Sequence, residues 1–376
     1  MRESLAILCG RLPARLTTID ALTAAQGELA QSRAELAKIA KVAAEVRAQV
    51  DILESEIDAK SDQLKQSLDT SRDLEARLRL LANPGQSERS MNDSIVFPIP
   101  EVILREARDK EFRVIDVGAQ ILESSDHVYS QLLTVLSGKV IGFEPLTEEL
   151  NKRLAQDVTA TLLPHAIGTG HPSVLHVTQF NPASSLLRPN HLQLDQFLAL
   201  PEMLTVVSEL PMETRRLDDV PGLDGCTLLK VDIQGGELAV LQGASGTLRD
   251  VMAVFIEVEF LDLYREQPLF PAVHSFLEEQ GFELLDLMNL GYGSYREANC
   301  GDVRSKLLWA DGFYVRKLDV ASPPPLASLA QLACATHYIG CKYDYAAHVL
   351  AFCDRVYGTS YHLPYQQSLH HAVFKS

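Results

Sequence analysis

The chain has 376 residues, 46% of them hydrophobic, and a formal net charge of −16 at pH 7. That length and apolar content support one globular domain of ordinary size plus additional segments. The acidity argues against a nucleic-acid partner, which needs clustered Lys and Arg, and no apolar run approaches the ~20 residues of a membrane span.

The opening SLAILCG is too short for a signal-peptide core. Six cysteines without a CxxC spacing suggest reduced thiols and a cytoplasmic setting. Residues 1–21 form an N-terminal segment. Residues 22–82 contain no Pro and one Gly, and their apolar residues recur every seven positions from Leu22. Of the 18 a and d positions, 14 are apolar; Ser32, Lys60, Ser67 and Ser71 interrupt the stripe. A period nearer 3.5 than 3.6 predicts a long coiled-coil helix, which needs a partner and so implies a homo-oligomer or a second coiled-coil chain. The weaker alternatives are a helix folded back on its own domain and a helix lying on a membrane surface. Residues 83–94 read as linker, a globular domain as 95–317, and a linker with a helical tail as 318–376.

Within 95–317 strands alternate with helices, the pattern of an α/β sheet. A short helix at Pro100–Arg108 leads to strands at Phe112–Gly118, Lys139–Glu144 and Ala160–Gly168, with helices through Val128–Leu136 and Thr147–Asp157 between them. A less regular insert, His171–Leu217, carries a strand at Val174–Phe180 and a polar loop with Ser184 and Ser185, which face an acceptor or simply solvent. Thr227–Ala244 is a strand–turn–helix unit, and Met252–Phe260 is a further strand. A helix at Phe270–Gln280 and strands at Phe282–Leu287 and Leu308–Arg316 finish the domain, with a loop at Met288–Lys306. In the tail, Cys334, His337 and Cys341 have helical spacing, and a packed helix is favoured over a metal site there.

The chemistry sits in charges at strand ends, where open α/β sheets bind ligands. Asp116 and Glu144 end two consecutive strands, and His165 falls in the third. A nicotinamide cofactor wants glycines after the first strand, whereas Leu122 and Glu123 would crowd and repel a pyrophosphate. An adenosine cofactor without phosphates, S-adenosylmethionine, fits better. Lys230 and Asp232 share one face of their strand, as do Glu257 and Glu259 of the next. Neighbouring strands would bring all four into one polar cluster, either a proton-transfer site or a structural ion network. Asp232, then Glu257, is the candidate base, with Lys230 tuning them; Asp232 and Glu257 also offer two oxygens to a divalent ion, too few to define a metal site. Glu237 reads as a favourable helix-start acid.

The segments VIDVGAQ, VIGFEP, HAIGTG, RRLDDV, LLKVDIQGGELAVLQGA, FIEVEF and LWADGFYVRK resemble the FkbM family of S-adenosylmethionine-dependent methyltransferases, in order and spacing, across about Ile95–Lys317. The resemblance implies a class I methyltransferase fold: a Rossmann-like seven-stranded sheet, antiparallel in its last strand, with helices on both faces. It implies O-methylation of a hydroxyl on a sugar, glycan or secondary metabolite. Carried over by position, Asp116, Gly118 and Ala119 hold the methionine end, Glu144 the ribose hydroxyls, and His165 and Ala166 lie beside the adenine. Asp232 faces the methyl and the acceptor. The competing expectation is a catalytically inactive relative that recruits partners through its coiled coil.

Overall fold

A computed structural model describes residues 98–120, 127–157, 160–301 and 303–373, together with Thr23, Gln26, Gly27, Arg33, Lys38, Lys41, Arg47 and Gln49. Those eight are helical and exposed, and none is a seam position. The expected coiled-coil seam and linker therefore lie outside the described residues, as do Leu122 and Glu123.

Seven strands form the main sheet: β1 (Arg113–Val117), β2 (Lys139–Phe143), β3 (Thr161–Leu163), β7 (Leu228–Val231), β8 (Ala253–Glu259), β9 (Phe282–Gly293) and β10 (Lys306–Arg316). Their order is β3-β2-β1-β7-β8-β10-β9. The first five run parallel, and β10 is antiparallel to both β8 and β9. This is a mixed α/β sheet with its last strand antiparallel, the arrangement that the sequence resemblance implies.

Alternate residues of each strand serve opposite faces. Val114, Leu228, Phe255 and Phe313 enter one core with Ile103 of α1 (Glu101–Arg108), Leu132 of α2 (Ser130–Leu136), and the tail helices. Ile115, Leu229, Val254 and Ile256 enter the other, against α6 (Glu237–Gln242) and α7 (Phe270–Glu279). Helix α3 (Thr147–Gln156) follows β2.

The sequence expectation of one strand over Ala160–Gly168 is corrected. Pro164 interrupts it, because proline cannot continue a hydrogen-bonded ladder. Its first part is β3, and its second, β4 (Ala166–Ile167), joins a separate sheet of order β4-β6-β5. That sheet pairs β5 (Pro172–Thr178) with β6 (Val206–Arg215), a strand masked in the sequence by Pro211 and by its exposure. Two one-turn helices, α4 (His191–Leu194) and α5 (Leu200–Met203), fill the rest of the insert. Phe180, Phe197, Leu200 and Met203 pack there with Tyr264 and Leu308, fixing the insert over one edge of the main sheet.

The tail forms α8 (Leu326–Tyr338), α9 (Tyr343–Tyr357) and α10 (His362–Val373). Every residue of α8 from Ser328 to His337 is buried, as expected of a helix apolar on nearly all sides. Cys334 is buried in the core, and His337 Nδ1 lies 2.8 Å from the Tyr365 hydroxyl. Cys341 is exposed, and among the described residues the cluster of possible metal ligands lies elsewhere, at Glu237, Glu257 and Glu259. Leu332 is completely buried. Leu332→Ala should destabilise the protein by about 2–5 kcal/mol, read as a lowered midpoint in urea denaturation.

Candidate active site

The register of the sheet puts the charges side by side. Asp116 pairs with Lys230 across β1 and β7, and Asp311 pairs with Glu257 across β10 and β8. Asp116, Lys230, Asp232, Glu257, Glu259 and Asp311 all follow the parity of the face that carries Val114, Leu228, Phe255 and Phe313. Toward the carboxyl ends of the parallel strands, that face changes from apolar to charged.

A cavity of about 1050 Å³ opens at this edge. Gly118, Glu144, His165, Ala166, Lys230, Asp232 and Glu257 line it, so it gathers most of the residues expected from the sequence. Asp116 and Ala119 are completely buried and do not line the cavity.

Asp116 is the centre of an ion network beneath the cavity floor. Lys230 Nζ lies 3.3 Å from its Oδ1, and Arg153 Nη1 lies 3.3 Å from its Oδ2. Tyr129 donates its hydroxyl to Oδ2, and Arg153 Nη2 donates to the Tyr129 oxygen at 2.9 Å. Burial by itself would raise the Asp116 pKa, but Lys230, His127, Tyr129 and Arg153 hold it below the ordinary value. Lys230 is held above its ordinary value: its burial is outweighed by Asp116 and Asp232. Burial pushes His127 down to about 4, so its ring, stacked on Tyr129, is neutral at pH 7.

Gly118 makes the strand end possible. Its φ is +80°, and a Cβ there would fall 1.8 Å from the carbonyl oxygen of Asp232. The same crossing is tied by Asp232 N donating to Val117 O at 3.0 Å and Lys230 Nζ donating to Gly118 O at 3.0 Å. On the β2 side, burial pushes the Glu144 carboxyl up to about 7, opposed by the backbone N–H of Leu146. His165 is held below the ordinary imidazole value by burial and by Arg215.

On the β7–β8 side a residue not singled out from the sequence organises the acids. Gln234 Nε2 donates to Asp232 Oδ1 at 3.1 Å and to Glu257 Oε2 at 2.7 Å, and its Oε1 accepts from the Tyr264 hydroxyl at 3.2 Å. Its φ of 64° is in the left-handed region, a strained position for a non-glycine residue and common at functional sites. Side chains of Asp232 are 40% exposed, so it is the accessible carboxylate. Glu257 is held well above its ordinary pKa by burial, then by Asp232, Glu259 and Glu237. Burial pushes Asp311 up to about 7, opposed by Asn289 Nδ2 donating to its Oδ2 at 2.7 Å.

Two expectations change here. Lys230 joins Asp116 and Asp232 and is not grouped with Glu259. Glu237 is more than a helix-start acid: it is 1% exposed, accepts the N–H groups of Ile233 and Gly235, and lies beside Glu257 and Glu259. Ser184 and Ser185 do line the cavity. Their hydroxyls accept from Thr178 N and Leu187 N, and Ser185 Oγ donates to Gln234 O at 2.7 Å.

Asp116→Asn leaves Lys230 and Arg153 buried with a weakened partner. At pH 7 it should cost about 3–5 kcal/mol in denaturant unfolding. The folded pKa of Asp116 lies below the unfolded one, so its stabilisation is complete above the ordinary Asp range and is lost as pH falls through the folded value. The difference between wild type and variant should therefore close on acidification.

No curated protein matches the chain. Among solved structures it resembles a TehB-like SAM-dependent methyltransferase from Corynebacterium glutamicum, at 9% identity and TM-score 0.28, over 57% of this chain and 87% of that one. Magnesium protoporphyrin IX methyltransferase from Synechocystis, with bound SAM, aligns at 12% identity and TM-score 0.27, over 64% and 90%. The N-terminal domain of EvdMO1 with SAH bound aligns at 10% identity and TM-score 0.25, over 56% and 77%. These overlaps are too loose to carry chemistry across. Among the described residues no helix is long and apolar enough to cross a membrane. Residues 116–284 match the family described as Methyltransferase FkbM domain, and they span both the buried Asp116 network and the acids of β7 and β8. Residues 116–284 of the chain therefore carry a Methyltransferase FkbM domain.

Proposed function

We propose that the protein is an S-adenosylmethionine-dependent O-methyltransferase acting on a hydroxyl of a sugar, glycan or secondary metabolite. The main support is one cavity with acids on two walls: Glu144 from the end of β2, and Asp232 with Glu257 from β7 and β8. Its volume of about 1050 Å³ reaches the upper end of the roughly 300–1,000 Å³ that holds a drug-sized ligand. That leaves room for an acceptor beside the cofactor.

The residues present fit the methyl donor. Glu144 is a buried acceptor for paired ribose hydroxyls, and Gly118 offers backbone without a side chain at the strand bend. His165 and Ala166 flank the adenine end. Asp116 serves by fixing Lys230 and the strand end from below, in place of the direct contact that its position in the sequence implies. When bound, S-adenosylmethionine supplies an electrophilic methyl on a sulfonium.

Asp232 would accept the acceptor's hydroxyl proton, freeing the oxygen to take the methyl that the bound cofactor would supply. Gln234 Nε2 holds one oxygen of the Asp232 carboxylate at 3.1 Å, and Lys230 Nζ lies 3.6 Å from the other. Glu257 keeps its proton at higher pH than an ordinary Glu and so is less available as a base at neutral pH.

Titration calorimetry with S-adenosylmethionine tests the cofactor assignment. Ribose hydroxyls donate to the ionised Glu144, whose pKa is about 7, so affinity should rise about tenfold between pH 6 and pH 8. Glu144→Gln should bind more weakly and without that pH dependence. No detectable binding by the wild type would favour the inactive, partner-recruiting alternative.

Asp232→Asn should keep cofactor affinity and lose about 10²–10⁴ in turnover, measured as S-adenosylhomocysteine formed with a panel of hydroxylated acceptors. An unchanged rate removes Asp232 from the mechanism.

A further inference from the structure

Glu237, Glu257 and Glu259 each present a carboxylate oxygen, and the three oxygens lie within 4.8 Å of one another. They come from the first turn of α6 and from two same-face positions of β8. Glu257 and Glu259 line the cavity, and Glu237 closes the group from behind. Among the described residues no Lys or Arg forms an ion pair with any of them, because Lys230 is engaged by Asp116 and Asp232.

A separate observation points to a cationic ligand. Glu259 is 2% exposed, and its Oε2 has no hydrogen-bond partner. Burial holds Glu259 well above its ordinary pKa, opposed by Gln267, because a buried carboxylate oxygen without a donor is strongly unfavourable unless a proton or a cation faces it. The spacing suits one ion. Opposite oxygens around Ca²⁺ are about 4.6–5.2 Å apart and around Mg²⁺ about 4.0–4.2 Å. A limit of 4.8 Å on every separation falls within the reach of one Ca²⁺ and requires the three oxygens to draw together around one Mg²⁺. A ligand set made only of carboxylates selects hard ions over zinc or copper.

We propose that Glu237, Glu257 and Glu259 bind one hard divalent cation, of the Mg²⁺, Mn²⁺ or Ca²⁺ class, whose remaining coordination positions open into the cavity. The site deepens the methyltransferase reading and its catalytic role rests on it: the cation would receive the acceptor oxygen and make its hydroxyl proton easier for Asp232 to remove.

The test uses the full chain, stripped with EDTA and titrated with MnCl₂ by calorimetry and by electron paramagnetic resonance of free Mn²⁺. The expected result is one Mn²⁺ per chain and a raised melting temperature. Glu257→Gln and Glu259→Gln, which keep side-chain shape and reduce buried charge, should each weaken Mn²⁺ binding about tenfold or more. Absence of binding by Mn²⁺, Mg²⁺ and Ca²⁺ at millimolar concentration overturns the site, and so does binding that both variants leave unchanged. S-adenosylmethionine titrated into the stripped protein separates the two readings. Cofactor binding without Mn²⁺ binding removes the cation site alone, and Mn²⁺ binding without cofactor binding removes the methyl donor alone.

Discussion

Asp116 is where the two halves of the sheet are locked together. It is completely buried, and its charge is balanced by Lys230 from β7 and Arg153 from α3. Such networks give little net stability compared with an apolar replacement, but breaking one leaves charge in a place that cannot solvate it. The return is positional. Lys230, held by Asp116, also reaches Gly118 O and Asp232, so one ammonium group sets the distance between the end of β1 and the accessible carboxylate. Gly118 admits the approach because any Cβ would collide with the Asp232 backbone.

The rest of the site follows from how one sheet face is divided. Its apolar half is covered by α1, α2 and the tail helices. Its charged half begins where that cover stops, and the insert and the turn after α8 come down on either side: Phe180 and Ser185 from the first, Tyr338 and Gly340 from the second. Lys342 pairs with Asp286, and Tyr345 donates to Glu283 at 3.0 Å, fixing that turn and the start of α9 against β9. The tail is thus part of the wall of the cavity although it lies beyond the matched domain.

Strand ends were legible in the sequence because a charge inside an apolar run stands out, and period two assigns its face. That is how Lys230, Asp232, Glu257 and Glu144 were found. Arg153 was not legible: on a helix rich in Glu, Lys and Arg it looks solvent-facing, and only the packing of α3 reveals it as one of the largest fully buried side chains among the described residues. Gln234 was hidden for another reason. Its role depends on a left-handed backbone that brings its amide between two carboxylates, and nothing in its residue type announces that conformation. Pro211 concealed β6, and Pro164 divided a strand that hydrophobicity alone makes continuous. The tail read as helical, but its partner surface is a tertiary matter.

The charge balance of the cavity constrains the chemistry. Its described lining holds five acids, of which Asp232 is the accessible one, Glu144 and Asp311 lose their protons near pH 7, and Glu257 and Glu259 hold theirs more tightly, against Lys230 already engaged by Asp116 and Asp232. A field of that sign concentrates cations and suits a donor that enters as a sulfonium and leaves as a neutral thioether. Attraction for the ground-state charge does not by itself accelerate the reaction, because that charge is partly lost at the transition state. The acids near the donor therefore act mainly in binding and in releasing the spent cofactor. In the proposed reaction the rate would come from alignment of the acceptor and from removal of its proton, and both requirements would converge on Asp232, held between Lys230 and Gln234 at the open edge of the sheet.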